Sequence, residues 1–212
     1  MLRKEGIFGY DTNLEDRLIP GFPELLRLVE ILKDLKYRIV LTQGKYNNKH
    51  YGHERYLQKA RAFGDFLIVG VDSDEKVRAK KGPDYPLIPH IERIEGLAHT
   101  RHVDALFLKE EHHEHWALIK AVRPDVLVVS ESTKAGGDTP LPPYSPEEMK
   151  HLKEFCGRIE VLPPQATEST SARWRLFQIG MAEKIGRDVL EELSAGVPTA
   201  VRKAISKYTE AK

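Results

Sequence analysis

Two hydrophobic rhythms alternate along this chain. From Tyr37 onward, compact apolar runs predict strands near 38–42, 66–71, 104–108, 125–129 and 158–162. Apolar residues at helical spacing predict helices near 51–64, 89–99, 113–121 and 145–156. The strand runs are rich in Val, Ile and Leu and carry no polar interruption, as in Leu67-Ile68-Val69 and Val126-Leu127-Val128-Val129. A strand that is apolar on both faces has to be covered on both faces, and the alternating helices supply the cover. The pattern predicts an α/β fold built on a doubly wound, parallel, five-stranded sheet. Ligands of such sheets bind outside the carboxyl ends of the strands, where the strand order reverses.

Upstream of this alternation, Pro23 suits a helix start, and Leu25, Leu28, Val29, Leu32 and Leu35 recur at helical spacing through Lys36. This helix is expected to cover one sheet face. Residues 1–22, with Gly6, Gly9, Pro20 and Gly21, read as an irregular lead. Between Ser130 and Ser145 the chain is rich in Gly and Pro, which predicts a flap or insertion rather than a folded element. Beyond Phe177, residues 181–193 and 197–210 predict two short helices parted by Gly196-Val197-Pro198. The expected organisation is a lead and covering helix over 1–36, a central domain over 37–177, and a C-terminal helical extension over 178–212. Packing of that extension on the core and a homodimer contact are both open.

The candidate chemistry is concentrated in one stretch. Ile39-Val40-Leu41 runs into Thr42-Gln43-Gly44-Lys45-Tyr46-Asn47-Asn48-Lys49, and His50-Tyr51-Gly52-His53 then opens an amphipathic helix. A helix N-terminus presents unpaired N–H groups and the positive end of the helix dipole, which suits a phosphate. Histidines three apart lie about one turn from each other, and a glycine between them permits close approach of a ligand. Two histidines in a polar turn also occur with no task at all, so the residues that follow carry the weight.

Those residues are Gly64-Asp65-Phe66 through Val71, Asp72-Ser73-Asp74, Lys81-Gly82-Pro83, Glu92-Arg93, Val103-Asp104, Arg123-Pro124-Asp125 and Ser169-Thr170-Ser171. With Thr42-x-Gly44-x-Tyr46-Asn47 and His50-x-Gly52-His53, the chain resembles the cytidylyltransferase-like nucleotidyltransferases over roughly residues 37–177. The resemblance implies a Rossmann-like fold. It also implies transfer of a nucleoside monophosphate, AMP or CMP, from a triphosphate to a phosphorylated sugar, polyol or cofactor precursor, with release of pyrophosphate. His50, His53 and Lys81 would then be catalytic. Thr42, Gly44, Lys45, Tyr46, Asn47, Gly52, Ser169, Thr170 and Ser171 would contact the nucleotide, and Asp72 and Arg93 the substrate. Magnesium would be held mainly by the triphosphate rather than by a protein cage. Val77-Arg78, Lys81-Gly82-Pro83 and Pro86 are most similar to the heptose-phosphate adenylyltransferase branch, with the glycerol-phosphate cytidylyltransferase and archaeal flavin adenine dinucleotide synthetase branches left open.

Two departures bear on activity. Asn47 stands where the family has Asp, which keeps hydrogen-bonding geometry and loses a charge. Val129-Ser130-Glu131-Ser132-Thr133 replaces the Lys-Gly-x-Asp-Tyr that often follows in the heptose branch. A catalytically impaired nucleotide-binding relative is the alternative these departures raise.

Composition adds limits. Over 212 residues, Lys+Arg total 33 and Asp+Glu 32, a formal charge of +1, so no global field argues for nucleic acid or an anionic membrane. One cysteine, Cys156, excludes an internal disulfide and fits a reducing compartment, and no apolar run approaches membrane-spanning length. A cytoplasmic location is expected. His112, His113 and His115 match no closed zinc spacing and read as a polar helix start.

Overall fold

The computed structural model describes residues 14–47, 49–133, 140–141, 144–163, 165, 177 and 179–189. The chain divides into two compact units, Met1–Thr167 and Glu168–Lys212. The second unit is described only at Phe177 and over the helical residues 179–189. Among the described residues, no helix is long and apolar enough to cross a membrane.

The first unit is built on a parallel sheet of β1 (Leu18–Ile19), β2 (Ile39–Gly44), β3 (Phe66–Asp72), β4 (Ala105–Lys109), β5 (Val126–Ser130) and β8 (Arg158–Leu162), in the order β1-β4-β3-β2-β5-β8. Ile39, Val40, Leu41 and Thr42 are all fully buried, so the uninterrupted apolar run means cover on both faces. One cover is α2 (Phe22–Asp34), which turns Leu25, Val29 and Leu32 inward beside Leu118, Ile119 and Val122 of α6 (Ala117–Val122). The other is α3 (Tyr51–Arg61) with Tyr56, Leu57 and Ala60, and α5 (His90–Ala98) with Ile94, Leu97 and Ala98. Each fully buried aliphatic side chain of these two layers contributes about 1.5–3 kcal/mol.

Three aspartates fasten the amino edge of the sheet. Asp65 accepts the N–H of Arg38 at 2.9 Å, Asp104 that of Leu67 at 2.7 Å, and Asp125 that of Ile39 at 2.7 Å. They lie at the opposite end of the strands from His50, so these matching positions serve the scaffold.

Several expectations are corrected. The sheet has six strands, because Leu18 and Ile19 of the lead pair with Leu106 and Phe107, preceded by α1 (Leu14–Arg17). A strand of two residues has no period to read, and only the exposed edge of β4 makes it one. Residues 74–81, for which the sequence pattern predicts no element, form α4 (Asp74–Lys81), whose N-cap Ser73 accepts the N–H of Lys76 at 3.2 Å. The Gly- and Pro-rich segment after β5 holds a short antiparallel pair, β6 (Ser132–Thr133) with β7 (Pro140–Leu141). The helix expected over 113–121 begins only at Ala117, after Trp116 takes a left-handed conformation at φ 64°. That expected over 145–156 is α7 (Pro146–Leu152).

Candidate active site

From β2 the chain moves outward through β3 and β4, then returns to place β5 and β8 on the other side. Strand order therefore reverses between β2 and β5. Those strands pair only at Val40↔Val126 and Leu41↔Leu127, whereas β2 and β3 stay paired up to Gly44↔Val71. A polar chain fastens the parted strands: the Thr42 hydroxyl lies 2.7 Å from the Tyr56 hydroxyl, which donates to the carbonyl of Val128 at 3.0 Å. The single phenolic proton goes to Val128, so Thr42 donates to the phenol oxygen. Thr42 is fully buried and supports the site from below instead of facing a nucleotide.

Above this chain, β2 delivers its loop to the first turn of α3. His50 is the N-cap, and its Nδ1 accepts the N–H of Gly52 at 3.0 Å. His53, at the third helical position, accepts the N–H of His50 on its own Nδ1 at 3.4 Å. A ring nitrogen that accepts carries no proton, so the proton of each neutral imidazole is on Nε2. Burial, and secondly His50 beside it, lower the His53 pKa to about 4. His53 is thus a neutral Nε2–H donor at pH 7. The rings lie 4.3 Å apart, and buried Tyr46, at φ 49°, packs 5.5 Å from His53. A Cβ on Gly44 would come within 3.2 Å of the Tyr46 ring, so the glycine makes room for that support.

The loop side is organised by Arg93, whose guanidinium is almost completely buried. Its Nε donates to Ile88 O at 3.0 Å, one terminal nitrogen to Lys45 O, and the other to Asp72 O and Asp74 Oδ1, each at 2.8 Å. Arg93 ties four segments together and is not presented to an acceptor. Asp72 is likewise inside, paired with Lys109 at 2.9 Å. Asn47 accepts the N–H of Ile88 at 3.2 Å, a bond that needs an oxygen and no charge. Lys49 spends its donors on Gly96 O, Thr100 Oγ1 and Glu54, at 2.8, 2.9 and 2.7 Å.

Lys45 and Lys81 remain as cations of the site. Burial and then the nearby charge of Lys81 lower the Lys45 pKa, partly offset by Asp72. Two like charges held this close favour an anion between them. Ser169, Thr170 and Ser171 lie outside the described residues.

Sequence reading missed a second group of residues. Gln43, Lys76, Lys80, Lys109, Trp116 and Tyr144 line a cleft of about 130 Å³ on the other face of β2, with His113 and His115 at its wall. Gln43 alternates with Thr42 along the strand, which sends the two side chains to opposite faces. A larger cleft of about 390 Å³ is lined by Glu75, Glu110 and Glu111 and would repel phosphate. The basic residues are spread over α4, β4 and the following turn, so no local motif announces them.

Glu110, His112 and His113 bring one ligand atom each within 4.8 Å of one another. Glu110 already pairs with His112 at 3.1 Å, and its N–H donates to His113 Nδ1 at 3.1 Å, so internal bonds account for the cluster.

Known proteins resemble this chain in sequence and in fold. Residues 41–173 match the family model described as Cytidylyltransferase-like. The bifunctional protein HldE of Geotalea uraniireducens is 37% identical over 150 residues, which is 69% of this chain and 28% of that protein. The HldE of a Nitratiruptor species is 42% identical over 113 residues, 53% of this chain and 24% of that protein. These alignments thus span about a quarter of the length of these relatives. The pantoate-beta-alanine ligase of Francisella tularensis, solved with beta-gamma ATP and beta-alanine, shares the fold at TM-score 0.50 and 14% identity, over 73% of this chain and 69% of that one.

Proposed function

Since the chain belongs to the cytidylyltransferase-like family, we propose that it transfers a nucleoside monophosphate from a nucleoside triphosphate to a small phosphorylated acceptor. An ionised phosphate oxygen of the acceptor attacks the α-phosphorus, the bond from that phosphorus to the oxygen bridging the β-phosphate breaks, and pyrophosphate leaves. No proton has to be moved. Catalysis is then positioning and stabilisation of charge growing on the oxygens around the α-phosphorus.

The observation that carries this reading is the paired capping of His50 and His53, which commits each Nδ1 to a backbone N–H and puts the ring proton on Nε2, the nitrogen that would donate to phosphate oxygen. Neutral donors fit the role, since neither has to lose a proton as charge develops. Lys45 and Lys81 supply the positive field. Both carboxylates beside the site are engaged, Asp72 with Lys109 and Asp74 with Arg93 and His90. That supports magnesium entering with the triphosphate, where it neutralises phosphate charge, rather than binding to a protein cage. The Asn47 bond to Ile88 is one a carboxylate oxygen would also make, which supports turnover over the impaired alternative.

Pyrophosphate release tests the reading, with ATP and CTP supplied separately against a panel of sugar, polyol and cofactor-precursor phosphates. Release with one pair, lost in His50→Ala and His53→Ala, is the expected result. Triphosphate binding without release for any pair would overturn it.

A further inference from the structure

The two edges of the sheet are built differently. β1 offers only Leu18 and Ile19, a length that gives another strand little to join. β8 runs over Arg158–Leu162 in unbroken register with Val126–Ser130. Its ends fix which way its backbone groups face: the N–H of Arg158 donates to Asp125 O at 2.9 Å, and the carbonyl of Leu162 accepts the N–H of Glu131 at 3.0 Å. Backbone groups alternate sides along a strand, so Arg158, Glu160 and Leu162 bond to β5, while the N–H and C=O of Ile159 and Val161 point outward. Among the described residues no strand pairs with that outer edge. Edges are usually blunted by lysine, proline, a bulge or great brevity, and Arg158-Ile159-Glu160-Val161-Leu162 has none of these.

The side chains select what this edge accepts. Arg158 and Glu160 lie on one face, partly exposed and 3.3 Å apart, and the Arg158 guanidinium sits 5.4 Å from the centre of the Phe63 ring. An antiparallel copy of the same strand, centred on Ile159, makes Ile159 and its counterpart a hydrogen-bonded pair, each donating its N–H to the other's carbonyl. The flanking positions then oppose Arg158 to Glu160 of the second copy, twice, in the closer non-hydrogen-bonded geometry. Each charge gains a second opposite neighbour. Val161, 38% exposed, comes opposite Gly157, which has no side chain to obstruct it. Centring on Glu160 would instead oppose two carboxylates, and centring on Val161 would leave Arg158 beyond the end of the facing strand. Charge therefore fixes one register, and that register is self-complementary, as a twofold contact requires.

We infer that β8 is an interface between copies of this chain: two sheets join antiparallel through β8 about a twofold axis at Ile159, and the Arg158–Glu160 pairs set the register. The inference goes beyond nucleotidyl transfer and does not depend on it. Antiparallel joining points the carboxyl ends of the two sheets in opposite directions. The crevices between β2 and β5 then open at opposite ends of the joined sheet, and neither copy covers the other's histidines. A contact made by one short strand from each copy is narrow and belongs with transient assemblies, so the dimer population should rise with chain concentration.

Light scattering over a concentration series tests the inference on the full chain. The native chain is expected to pass from one chain mass to two as concentration rises. Arg158→Glu and Glu160→Arg, each alone, set like charges against each other and are expected to stay monomeric. An equimolar mixture of these two variants restores opposite charges across the axis and is expected to dimerise. Register is read separately by oxidising an equimolar mixture of Arg158→Cys and Glu160→Cys, in which the mixed disulfide should exceed both like pairs; the native Cys156 is buried. A native chain that is monomeric at every concentration overturns the inference, as does a dimer that survives either single charge reversal. Cross-linking no richer in the mixed pair than random pairing overturns it as well.

Discussion

His53 Nδ1 accepts the backbone N–H of His50 at 3.4 Å, while His50 Nδ1 accepts the N–H of Gly52 at 3.0 Å. The residues that cap α3 thereby also choose their own tautomers. In the proposed reaction, capping and chemistry would use different nitrogens of the same rings, which makes them separable by substitution.

His53→Gln offers an amide oxygen at the third helical position, where glutamine is a normal capping partner. The expected outcome is a helix and a melting temperature close to native, with pyrophosphate release reduced about 10²–10³-fold, the usual loss for one preorganised donor. Loss of fold together with loss of activity would mean that the ring is needed for packing.

Acid should destabilise the protein through His53. Its folded pKa, lowered to about 4 by burial, lies below the ordinary 6.5, so the unfolded chain binds the extra proton first. The contribution is fully present above pH 6.5 and is lost as pH falls toward 4, amounting to about 3 kcal/mol in all. Urea unfolding at about pH 7.5 and about pH 4.5 measures it. The native chain should lose more stability between the two than His53→Gln does; parallel behaviour would exclude His53 as the source.

Arg93→Lys should be costly despite conserving charge. A lysine cannot reach Ile88 O, Lys45 O, Asp72 O and Asp74 at once, and the buried acceptors left behind remain unmatched. A loss of about 3–5 kcal/mol is expected from the urea midpoint. Weaker triphosphate binding should accompany it, because the loop bearing Lys45 loses its anchor. Binding unchanged in a merely less stable protein would restrict Arg93 to the scaffold.

Asn47→Asp should retain pyrophosphate release within a fewfold of native, since either side chain offers an oxygen to Ile88 N–H. Asn47→Ala should lose about 1 kcal/mol of stability and much of the activity. Comparable activity in both variants would show that this bond does not hold the loop.

Gly70→Ala places a methyl group 2.5 Å from Leu118 Cδ2 and 2.9 Å from Lys109 Cδ. Overpacking of this kind costs about 1–3 kcal/mol. The displacement of Lys109 should also strain its pair with Asp72, and the urea midpoint measures the combined loss; an unchanged midpoint would show that the core absorbs the methyl group.

The sequence by itself determined the layered α/β architecture and the position of the histidine pair, because these depend on local periods and on a contiguous motif. A strand buried on both faces has to be apolar throughout, as Ile39-Val40-Leu41 is, and a helix facing a sheet has to repeat its apolar residues as Leu25, Val29 and Leu32 do. Tertiary structure decided which polar groups meet. Arg93 reaches the carbonyl of Lys45 from 48 positions away, and Lys109 reaches Asp72 from 37, so neither bond leaves a trace in local spacing. The same holds for the two-residue strand β1, which exists only because β4 offers it an edge. Thr42 and Gln43 are neighbours in the chain, yet the pleat sends one under the histidine helix and the other into the basic cleft. Contacts of that kind come from packing distant segments together, and their energies are set by burial that no single stretch of chain carries.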